Sequence, residues 1–527
     1  MSLEILATER LLPKSLPGPR SIPLSLLDAQ SARFAPTGAI WIFDSSLPSQ
    51  ESLVRNLRES FLATLAHFPH LPGQLHWAPW QRDGDHTSRF GRPMVIFGSG
   101  HDPGVEWTVA RLRRKASDLA PDAATRCAGN QVWVATDFAQ ADLLSSQTPL
   151  ALRDLKTYEG LPSTLVQVTL LDDGAVAVAV KIAHPLSDAS SLMTLMQHWA
   201  YHCRKSIRPD QVADSDQSFP PAPIFDPQIL DARAGGDIDS AHPDAELVAQ
   251  ARALPLHRFD WWETSAESYP PFLAATSNNS KPTDPGLLAA AKQAPAAIPP
   301  WKTWDLKAPV SHAVIHFTAA QVDALRSKVQ QVAPRASRLD ALLAHIWSSI
   351  NRARGLGDSD EGVFLNMTLA ARARVDPPLP DTFLGSPLIM AHVGAKGREA
   401  AATSKETAGL LASRIRSCLN EFTPQAMSAV LHSTAHEVSP QRFWQAFLGR
   451  NHVLVTAWLR LGIDELDFFG TGLPPRYVHQ ILPLMDGNLQ VMDGRSSKGG
   501  MDVSLYLESG AMAQLLNDPS LLSMSHA

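Results

Sequence analysis

The pattern of apolar positions between Ser163 and Cys203 predicts a hairpin followed by a helix. The runs STLVQVTLL and AVAVAVKIA flank the turn Asp172–Gly174, as expected for two antiparallel strands joined by a glycine-containing turn. The next segment, DASSLMTLMQHWAYHC, has apolar residues at helical spacing. They form one face of the predicted helix: Leu192, Leu195, Met196 and Trp199.

Similar patterns place helices and strands in both halves of the chain. ESLVRNLRESFLATLAHF has the spacing of an amphipathic helix. SRLDALLAHIWSSINRARG opens on Ser337 and Asp340, which are spaced like a capping box, and closes on Gly355. Predicted strands of the second half are EGVFLNMTL, HQILPLM, NLQVMDG and DVSLYLE. Because strands and helices do not alternate strictly, each half is predicted to be a mixed-sheet α/β layer.

Proline is concentrated between the two halves. The stretches SFPPAPIFDP, SYPPF, SKPTDPG and AAIPPW lie within residues 206–309, which we interpret as a long irregular crossover. Its tryptophans favour packing against a surface over disorder. The chain is thus divided into an N-terminal domain (1–205), the crossover (206–309) and a C-terminal domain (310–527).

Length and composition agree with two globular domains. A chain of 527 residues exceeds the roughly 250–300 residues of one ordinary core. Apolar residues make up 44% and charged residues 19%, which is globular composition. The net charge is −6 and no basic stripe is present, so a nucleic-acid partner is not expected.

The remaining composition indicates an intracellular protein. Three widely spaced cysteines exclude a disulfide scaffold and favour a reducing compartment. The N-terminal segment MSLEILATERLLPKSLPGPR lacks the apolar core of a signal peptide. No run of about 18 apolar residues predicts a membrane span. We expect a cytoplasmic monomer without a membrane partner.

Standard catalytic patterns are missing from the sequence, which has no G-x-S-x-G elbow, phosphate-binding loop, dinucleotide fingerprint or H-E-x-x-H helix. The densest histidine group is His67, His70 and His76, enough ligands for zinc. Pro69 and Gly73 prevent these histidines from sharing one helical face. We therefore expect ordinary packing for them and no metal site.

His184 ends the apolar run AVAVAVKIA, directly before Pro185. Proline disfavours the α region for the residue before it, so we expect His184 to be extended and Pro185 to enter the next helix. Asp188 then falls in the first turn of that helix, where the dipole favours a carboxylate. A lone histidine after a strand is more often a core residue, so the H-x-x-x-D spacing needs a second feature to indicate function.

The second feature is DELDFFGTGLPPRYVHQILPLMDGNLQVMDG, residues 464–494. The two motifs, in this order, resemble the BAHD superfamily of acyl-CoA-dependent acyltransferases, and within it the fungal trichothecene 3-O-acetyltransferase type. That family carries H-x-x-x-D-G near the end of its first domain and D-F-G-W-G near its C-terminus. The resemblance extends over most of the chain through LSLLDAQSARF, LATLAHFPHLPGQLHW, RLDALLAHIWSSINRARGL, ARARVDPPLPDTFLG and DVSLYLESGAMAQL.

The sequence also departs from the family pattern. The departures are Ala183 for a second histidine, Ala189 for the motif glycine, Ala370 for an aspartate before the R-x-R of the second domain, Phe468 for the motif aspartate and Thr471 for the motif tryptophan. Asp467 lies one residue before the expected aspartate position. These changes affect structural supports and not the histidine, so activity is still expected.

The resemblance implies an α/β fold of two similar mixed-sheet domains, like chloramphenicol acetyltransferase, joined by the crossover, with an active-site tunnel at their interface. Acyl-CoA, most simply acetyl-CoA, would enter as co-substrate from one face and a small-molecule acceptor from the other. No permanently bound cofactor is implied. His184 matches the family base, which takes a proton from the acceptor. Asp188 matches the motif aspartate, which pairs with an arginine and fixes the corner that carries the histidine.

The resemblance implies supporting roles as well. Gly470 and Gly472 would permit a tight turn at the interface, and Asp467 either replaces the displaced aspartate or is a plain surface acid. Ser337 and Arg338 match the approximate location of contacts to CoA phosphates at a helix N-terminus. Simple helix capping explains these two residues equally well.

The function implied is acyl transfer, with acetyl as the default group, from CoA thioester to a hydroxyl of a terpenoid or polyketide secondary metabolite. Other functions stay open: N-acyl transfer, condensation chemistry on carrier-protein thioesters, and a non-catalytic homologue. A serine hydrolase is a more distant alternative because the sequence has no nucleophile motif.

Overall fold

The computed structural model describes residues 3–44, 49–128, 131–146, 155, 159–208, 219–494 and 499–523. Within these ranges the strands are β1 (Leu3–Leu11), β2 (Arg20–Pro23), β3 (Thr37–Phe43), β4 (Gln74–Trp77), β5 (Pro93–Phe97), β6 (Val105–Leu112), β7 (Val132–Val134), β8 (Thr164–Leu171), β9 (Val176–Ile182), β10 (Phe259–Asp260), β11 (Val310–Phe317), β12 (Gly362–Ala370), β13 (Leu388–Lys396), β14 (Phe443–Trp444), β15 (His452–Trp458), β16 (Tyr477–Gln480), β17 (Asn488–Gly494) and β18 (Gly500–Glu508).

The α-helices of the same ranges are α1 (Leu26–Gln30), α2 (Gln50–Leu65), α3 (Ala116–Leu119), α4 (Ala123–Cys127), α5 (Gln140–Leu143), α6 (Ala189–Ile207), α7 (Gln228–Asp231), α8 (Ala245–Ala253), α9 (Pro271–Asn279), α10 (Pro285–Lys292), α11 (Ala319–Gln330), α12 (Arg338–Ala353), α13 (Gly397–Ala401), α14 (Lys405–Glu421), α15 (Pro424–Ala435) and α16 (Ser509–Leu516). None of these helices has both the length and the apolar character needed to cross a bilayer.

The first sheet has six strands in the order β1-β6-β8-β9-β3-β16. Strands β8 and β9 pair antiparallel, and Gly174 in their connection has φ +83°, which confirms the predicted hairpin. Helices α2 and α6 cover one face of the sheet and bury Phe61 and Trp199 in its core. The apolar stripe read from the sequence of α6 is therefore its core face.

The second sheet has seven strands in the order β13-β12-β15-β17-β18-β11-β7. Helix α12 packs in its core and begins after Ser337, whose hydroxyl accepts from the N–H of Asp340 at 3.2 Å. The N–H of Ser337 donates to the Asp340 carboxylate at 2.7 Å, which completes the predicted capping box. Gly355 follows the helix with φ +67°, as predicted for its C-terminal end.

Each half of the chain contributes one strand to the sheet of the other half. Strand β7 pairs antiparallel with β11, where Trp133 lies opposite Val314. Strand β16 pairs antiparallel with β3, where Val478 lies opposite Trp41. This exchange of strands joins the two sheets. The segments directly before and after β16 therefore lie between the sheets.

The predicted strand HQILPLM is wrong in its extent. Strand β16 ends at Gln480, and the ladder continues for one further bond, from the N–H of Ile481 to the carbonyl of Gly38 at 2.9 Å. Pro483 has no N–H to donate to a ladder, so the apolar run does not remain a strand. The residues that follow β16 form a wall of the site described below.

The crossover is not irregular, which corrects the expectation from its proline content. Its described part, residues 219–309, contains α7 to α10 and the short strand β10, which pairs with β14. These helices have at most nine residues, and two of them begin at a proline, so none has a long periodic stripe. Residues 209–218 lie outside the described residues.

The tryptophans of the crossover anchor it, as expected, on the second half of the chain. Trp261 and Trp301 are buried at 4% and 3% exposure and meet edge to face at 5.1 Å. Tyr269 and Leu273 join them in one cluster with Phe447. The crossover is therefore a packed layer that can shape a binding site.

Candidate active site

His184 begins a single 3₁₀ turn, His184–Leu186, between β9 and α6. The expectation of an extended His184 is wrong. The N–H of Leu186 donates to the carbonyl of Ala183 at 2.9 Å, and the N–H of Ser187 to that of His184 at 3.1 Å. These two bonds outweigh the preference that Pro185 imposes on the residue before it.

Asp188 is the N-cap of α6 and not a first-turn residue, one position earlier than expected. Its Oδ1 accepts from the N–H of Ser191 at 2.9 Å. Both of its oxygens also bond the guanidinium of Arg372, with Nη2 lying 2.9 Å from Oδ1 and Nη1 in close contact with Oδ2. Arg372 further donates to the carbonyl of Phe383 at 2.9 Å. This buried pair ties the corner that carries His184 to the second half of the chain.

A cavity of about 380 Å³ lies against His184. Its walls come from both sheets, from the segment after β16 and from the crossover. Aromatic side chains dominate one side: Phe34, Trp261, Phe272, Trp304, Trp444 and Phe447. A cavity of this size, largely apolar with few polar groups, is typical of a small-molecule site.

A larger depression of about 790 Å³ lies elsewhere on the molecule, between α8, α10 and the loop that carries Arg82 and Arg89. It contains none of the predicted site residues. Volume alone would favour this depression, which His242 and His436 also line. The smaller cavity is favoured because it contains the motif histidine His184 in a wall that is otherwise largely apolar.

The His184 imidazole is held by two neighbours. Its Nδ1 lies 2.8 Å from the hydroxyl oxygen of Ser386. Its ring meets Phe34 edge to face, with ring centres 5.3 Å apart and an interplanar angle of 85°. Burial lowers the pKa of His184 to about 4, and the charge of Asp188 opposes this shift only in part. The ring is therefore neutral at pH 7 and able to accept a proton.

The segment DFFGTG forms a turn that Asp467 organises. The carboxylate of Asp467 accepts backbone N–H groups of four residues at 2.8–3.3 Å: Phe469, Gly470, Thr471 and Gly472. The two glycines have φ +65° and +67°, a region that residues with a side chain rarely adopt. Phe468 points into the core of the first sheet, 5.0 Å from Trp199. The turn thus fastens the second half of the chain to the first.

Replacing Asp467 with alanine should destabilise the protein by about 2 kcal/mol, because hydrogen bonds to a charged group contribute about 1.5–3 kcal/mol. Urea unfolding of Asp467→Ala measures the loss. The matched control is Glu465→Ala, since Glu465 is an exposed acid of the same segment. Equal midpoints for the two variants would show that the turn does not depend on the carboxylate.

Ser337 and Arg338 lie apart from the His184 cavity and do not line it. Ser337 is occupied by the capping box of α12. Arg338 pairs with Asp323 at 3.0 Å and donates to the carbonyl of Gly499. Both residues therefore have structural partners, and their contact with CoA remains a prediction.

Several histidines other than His184 pack against aromatic rings. His70 stacks on Phe225 with ring centres 3.8 Å apart, and burial lowers its pKa to about 3. Among the described residues, no group of three or more His, Cys, Asp or Glu side chains is arranged to hold a metal ion. The ring of His67 packs against those of His198 and His202, with ring centres 5.4 Å and 5.6 Å apart.

Three residues at the site were missed from the sequence: Asp28, Arg372 and Ser386. Two of them lie in segments that carry the family resemblance, Asp28 in LSLLDAQSARF and Arg372 in ARARVDPPLPDTFLG, and Ser386 comes directly after the second segment. A buried polar residue in such a segment is a usable signal. The partner of such a residue cannot be predicted in the same way. Arg372 contacts Asp188, which lies 184 positions earlier in the chain, and Ser386 contacts His184, which lies 202 positions earlier.

Comparisons with known proteins agree with this fold. The sequence profile of the transferase family matches residues 135–229 and 263–522, more than half of the chain. Acyltransferase AFT15-1 of Alternaria alternata is 24% identical over 99% of this chain and 97% of its own. Acyltransferase abl6 of Leptosphaeria maculans is 24% identical over 99% of each chain. The crystal structure of F. sporotrichioides TRI101 complexed with coenzyme A and T-2 has a TM-score of 0.64 at 16% identity and covers 95% of this chain and 98% of that one.

The fold has two mixed sheets, and both of them line a cavity that contains a histidine. Together with these matches, this arrangement defines an enzyme of the acyltransferase class. The chain belongs to the transferase family of the BAHD acyltransferases. The family and the mixed α/β fold predicted from the sequence are confirmed.

Proposed function

We propose that the protein transfers an acyl group, most simply acetyl, from acyl-CoA to a hydroxyl group of a terpenoid or polyketide secondary metabolite. His184 is the general base. The observation that carries the proposal is the position of the His184 ring in the wall of the cavity, with Nδ1 beside the hydroxyl of Ser386 and no hydrogen bond from Nε2 to a described residue. CoA as the donor is supported by the crystal structure of TRI101, which contains it.

The transfer needs one proton acceptor and no covalent enzyme intermediate. Nε2 of His184 takes the proton of the acceptor hydroxyl while the oxygen attacks the thioester carbonyl carbon. The tetrahedral intermediate collapses, the carbon–sulfur bond breaks, and the CoA thiolate takes the proton from the imidazolium. A positioned base of this kind typically contributes about 10²–10⁴-fold to the rate.

The charges of the cavity favour a neutral acceptor over a cationic amine. The only acid among its described lining residues is Asp188, and both oxygens of Asp188 are bonded to Arg372. A protonated amine would therefore enter an apolar cavity without a free counter-charge, which is costly. This supports O-acyl transfer over transfer to polyamines.

The aromatic side of the cavity supports an apolar, polycyclic or planar acceptor. Trp261 and Trp444 lie 4.4 Å apart, and Trp444 meets Phe34 at 5.4 Å. Phe34 in turn contacts His184. This row of rings leads from the crossover to the base and offers a large apolar contact area to a ring system.

The donor must be held by groups outside the cavity as well. Ser337 and Arg338 at the N-terminus of α12 are our candidates for contacts to CoA phosphates, since backbone N–H groups and the helix dipole favour anions there. Arg338 would have to exchange Asp323 for a phosphate, and both groups are partly exposed. Weaker CoA binding by Arg338→Ala, with unchanged acceptor affinity, is the expected result.

Incubation of the protein with acetyl-CoA and separate panels of terpenoid alcohols, polyketide alcohols and primary amines tests the proposed function. Ester products detected by mass spectrometry, with CoA thiol released in equal amount, are the expected result. Amide products alone would replace O-acyl transfer with N-acyl transfer. Release of CoA without any acylated product would point to thioester hydrolysis.

The pH dependence of kcat/KM should show the lowered pKa of His184. A base acts only when unprotonated, so the rate falls as the pH drops through about 4, the pKa that burial gives this ring. Between about pH 5 and pH 8 we expect little change. Circular dichroism at each pH distinguishes loss of the base from acid unfolding. A limb centred near the ordinary imidazole value of about 6.5 would contradict the lowering of the pKa by burial, and a rate that does not fall at low pH while the protein stays folded would contradict the base.

A further inference from the structure

His184 is supported by a second group of polar contacts, separate from the pair of Asp188 and Arg372. The hydroxyl oxygen of Ser386 lies 2.8 Å from Nδ1 of His184. Ser386 is completely buried, and its backbone N–H donates to Oδ1 of Asp28. The contacts therefore run from the imidazole through Ser386 to a buried carboxylate in α1.

Asp28 is fixed by the start of α1. Its Oδ2 accepts from the N–H of Ser25 at 3.1 Å, and the hydroxyl of Ser25 accepts from the N–H of Asp28 at 3.2 Å. Gly385 lets the carboxylate approach, since a Cβ on this residue would lie 2.9 Å from Oδ1 of Asp28. Gly385 also has φ +133°. Because of these contacts, the position of Ser386 depends on Asp28 and on a glycine before it.

Asp188 cannot orient the ring in the same way. Its oxygens are used by Arg372 and by the N–H of Ser191. No hydrogen bond joins Asp188 to His184 in the described part of the chain. The aspartate of the sequence motif thus fixes the corner, and a different group contacts the imidazole.

We propose that Ser386, held by Asp28, is the positioning residue for His184: its oxygen accepts the Nδ1 proton and leaves Nε2 as the basic nitrogen. This inference rests on the proposed role of His184 as the base. A neutral imidazole carries its proton on one nitrogen only, so the bond at Nδ1 decides which nitrogen can act. When Nε2 gains the acceptor proton, Nδ1–H stays bonded to Ser386, and the imidazolium keeps its orientation until Nε2 returns the proton to the thiolate.

The inference also gives a role to the opening segment LSLLDAQSARF. Ser25 and Asp28 of this segment support Ser386, and Phe34 packs against the His184 ring. A segment near the N-terminus and one in the second half of the chain therefore meet behind the base.

The tautomer of His184 can be measured without any substrate. The full-length protein is labelled with ¹⁵N-histidine, and the resonances of His184 are assigned by their loss in His184→Ala. A protonated Nδ1 in the wild type is the expected result, with a mixture of tautomers in Ser386→Ala. A protonated Nε2 in the wild type would mean that Ser386 donates its hydroxyl proton, and would overturn the inference.

Kinetics give the second readout. Ser386→Ala should lower kcat about 10- to 100-fold, by analogy with groups that orient a metal-bound imidazole through its second nitrogen, with KM for acyl-CoA unchanged. Asp28→Asn should act in the same direction, because an amide cannot accept from both N–H groups. The control is Ser163→Ala, which removes a buried hydroxyl bonded to the carbonyl of Leu71. A kcat for Ser386→Ala equal to that of the control, with the wild-type tautomer retained, would overturn the inference.

The two readouts also separate this inference from the proposed function. Transfer that persists in His184→Ala would overturn the base and, with it, the role of Ser386 in catalysis. A Ser386→Ala variant with wild-type kcat, beside an inactive His184→Ala, would overturn Ser386 alone.

Discussion

The variant His184→Ala is expected to lose acyl transfer almost completely, with kcat reduced by about 10²–10⁴-fold, the usual contribution of a positioned general base. The ring lines a cavity, so its removal leaves the surrounding core in place. Affinity for the acyl-CoA donor, measured by calorimetry, should stay near the wild-type value.

The control for this variant is His101→Ala, since His101 is an exposed histidine after β5 and does not line the cavity. Its activity should equal that of the wild type. Transfer by His184→Ala within a few-fold of the control would show that another group is the base.

The largest loss of stability is expected from Arg372→Ala. The side chains of Arg372 and Asp188 are 9% and 4% exposed, so removal of the guanidinium leaves a carboxylate buried and uncompensated. Breaking a buried pair in this way costs about 3–5 kcal/mol. Urea unfolding should show the midpoint shifted to lower concentration by a corresponding amount.

An exposed ion pair provides the comparison. Lys302 and Glu267 lie 2.6 Å apart with side chains 65% and 74% exposed, and Lys302→Ala should cost no more than about 1 kcal/mol. The double variant Asp188→Leu with Arg372→Met should recover much of the stability, because it leaves no buried charge. If Arg372→Ala were as stable as Lys302→Ala, the pair would not be what holds the corner.

Local elements were predictable because neighbouring residues determine them. The hairpin of β8 and β9 and the capped helix α12 follow from spacing, turn glycine and capping residues. His184 was found because a strand, a proline and a helix start coincide there and because a second motif appears downstream. The first three signals lie within a few residues of each other, whereas the second motif was recognised only by its resemblance to the family pattern.

The rest of the site depends on contacts that no local pattern shows. The pairing of β16 with β3 and the bonds of Arg372 and Ser386 join distant parts of the chain. The sequence indicated that Asp188 has an arginine partner only by resemblance, and it did not indicate which arginine. Ser386 had no signal of its own, because a single serine after a glycine is common in loops.

The turn of Asp467 shows a third kind of difficulty. Asp467 lies one position before the aspartate of the family pattern, and the sequence therefore allowed two interpretations of it, a replacement for that aspartate or a surface acid. The choice depends on where four backbone N–H groups point, which only the folded turn reveals. Its carboxylate organises the turn even though it lies one position early.

The most direct test of the proposed function is a calorimetric titration of the wild-type protein with acetyl-CoA, which needs no acceptor. Saturable binding is the expected result, and a thermal shift should accompany it, because a ligand at 100 times its dissociation constant adds about 2.7 kcal/mol of stability. Absence of binding by acetyl-CoA and by longer acyl-CoA thioesters would contradict an acyl-CoA-dependent enzyme.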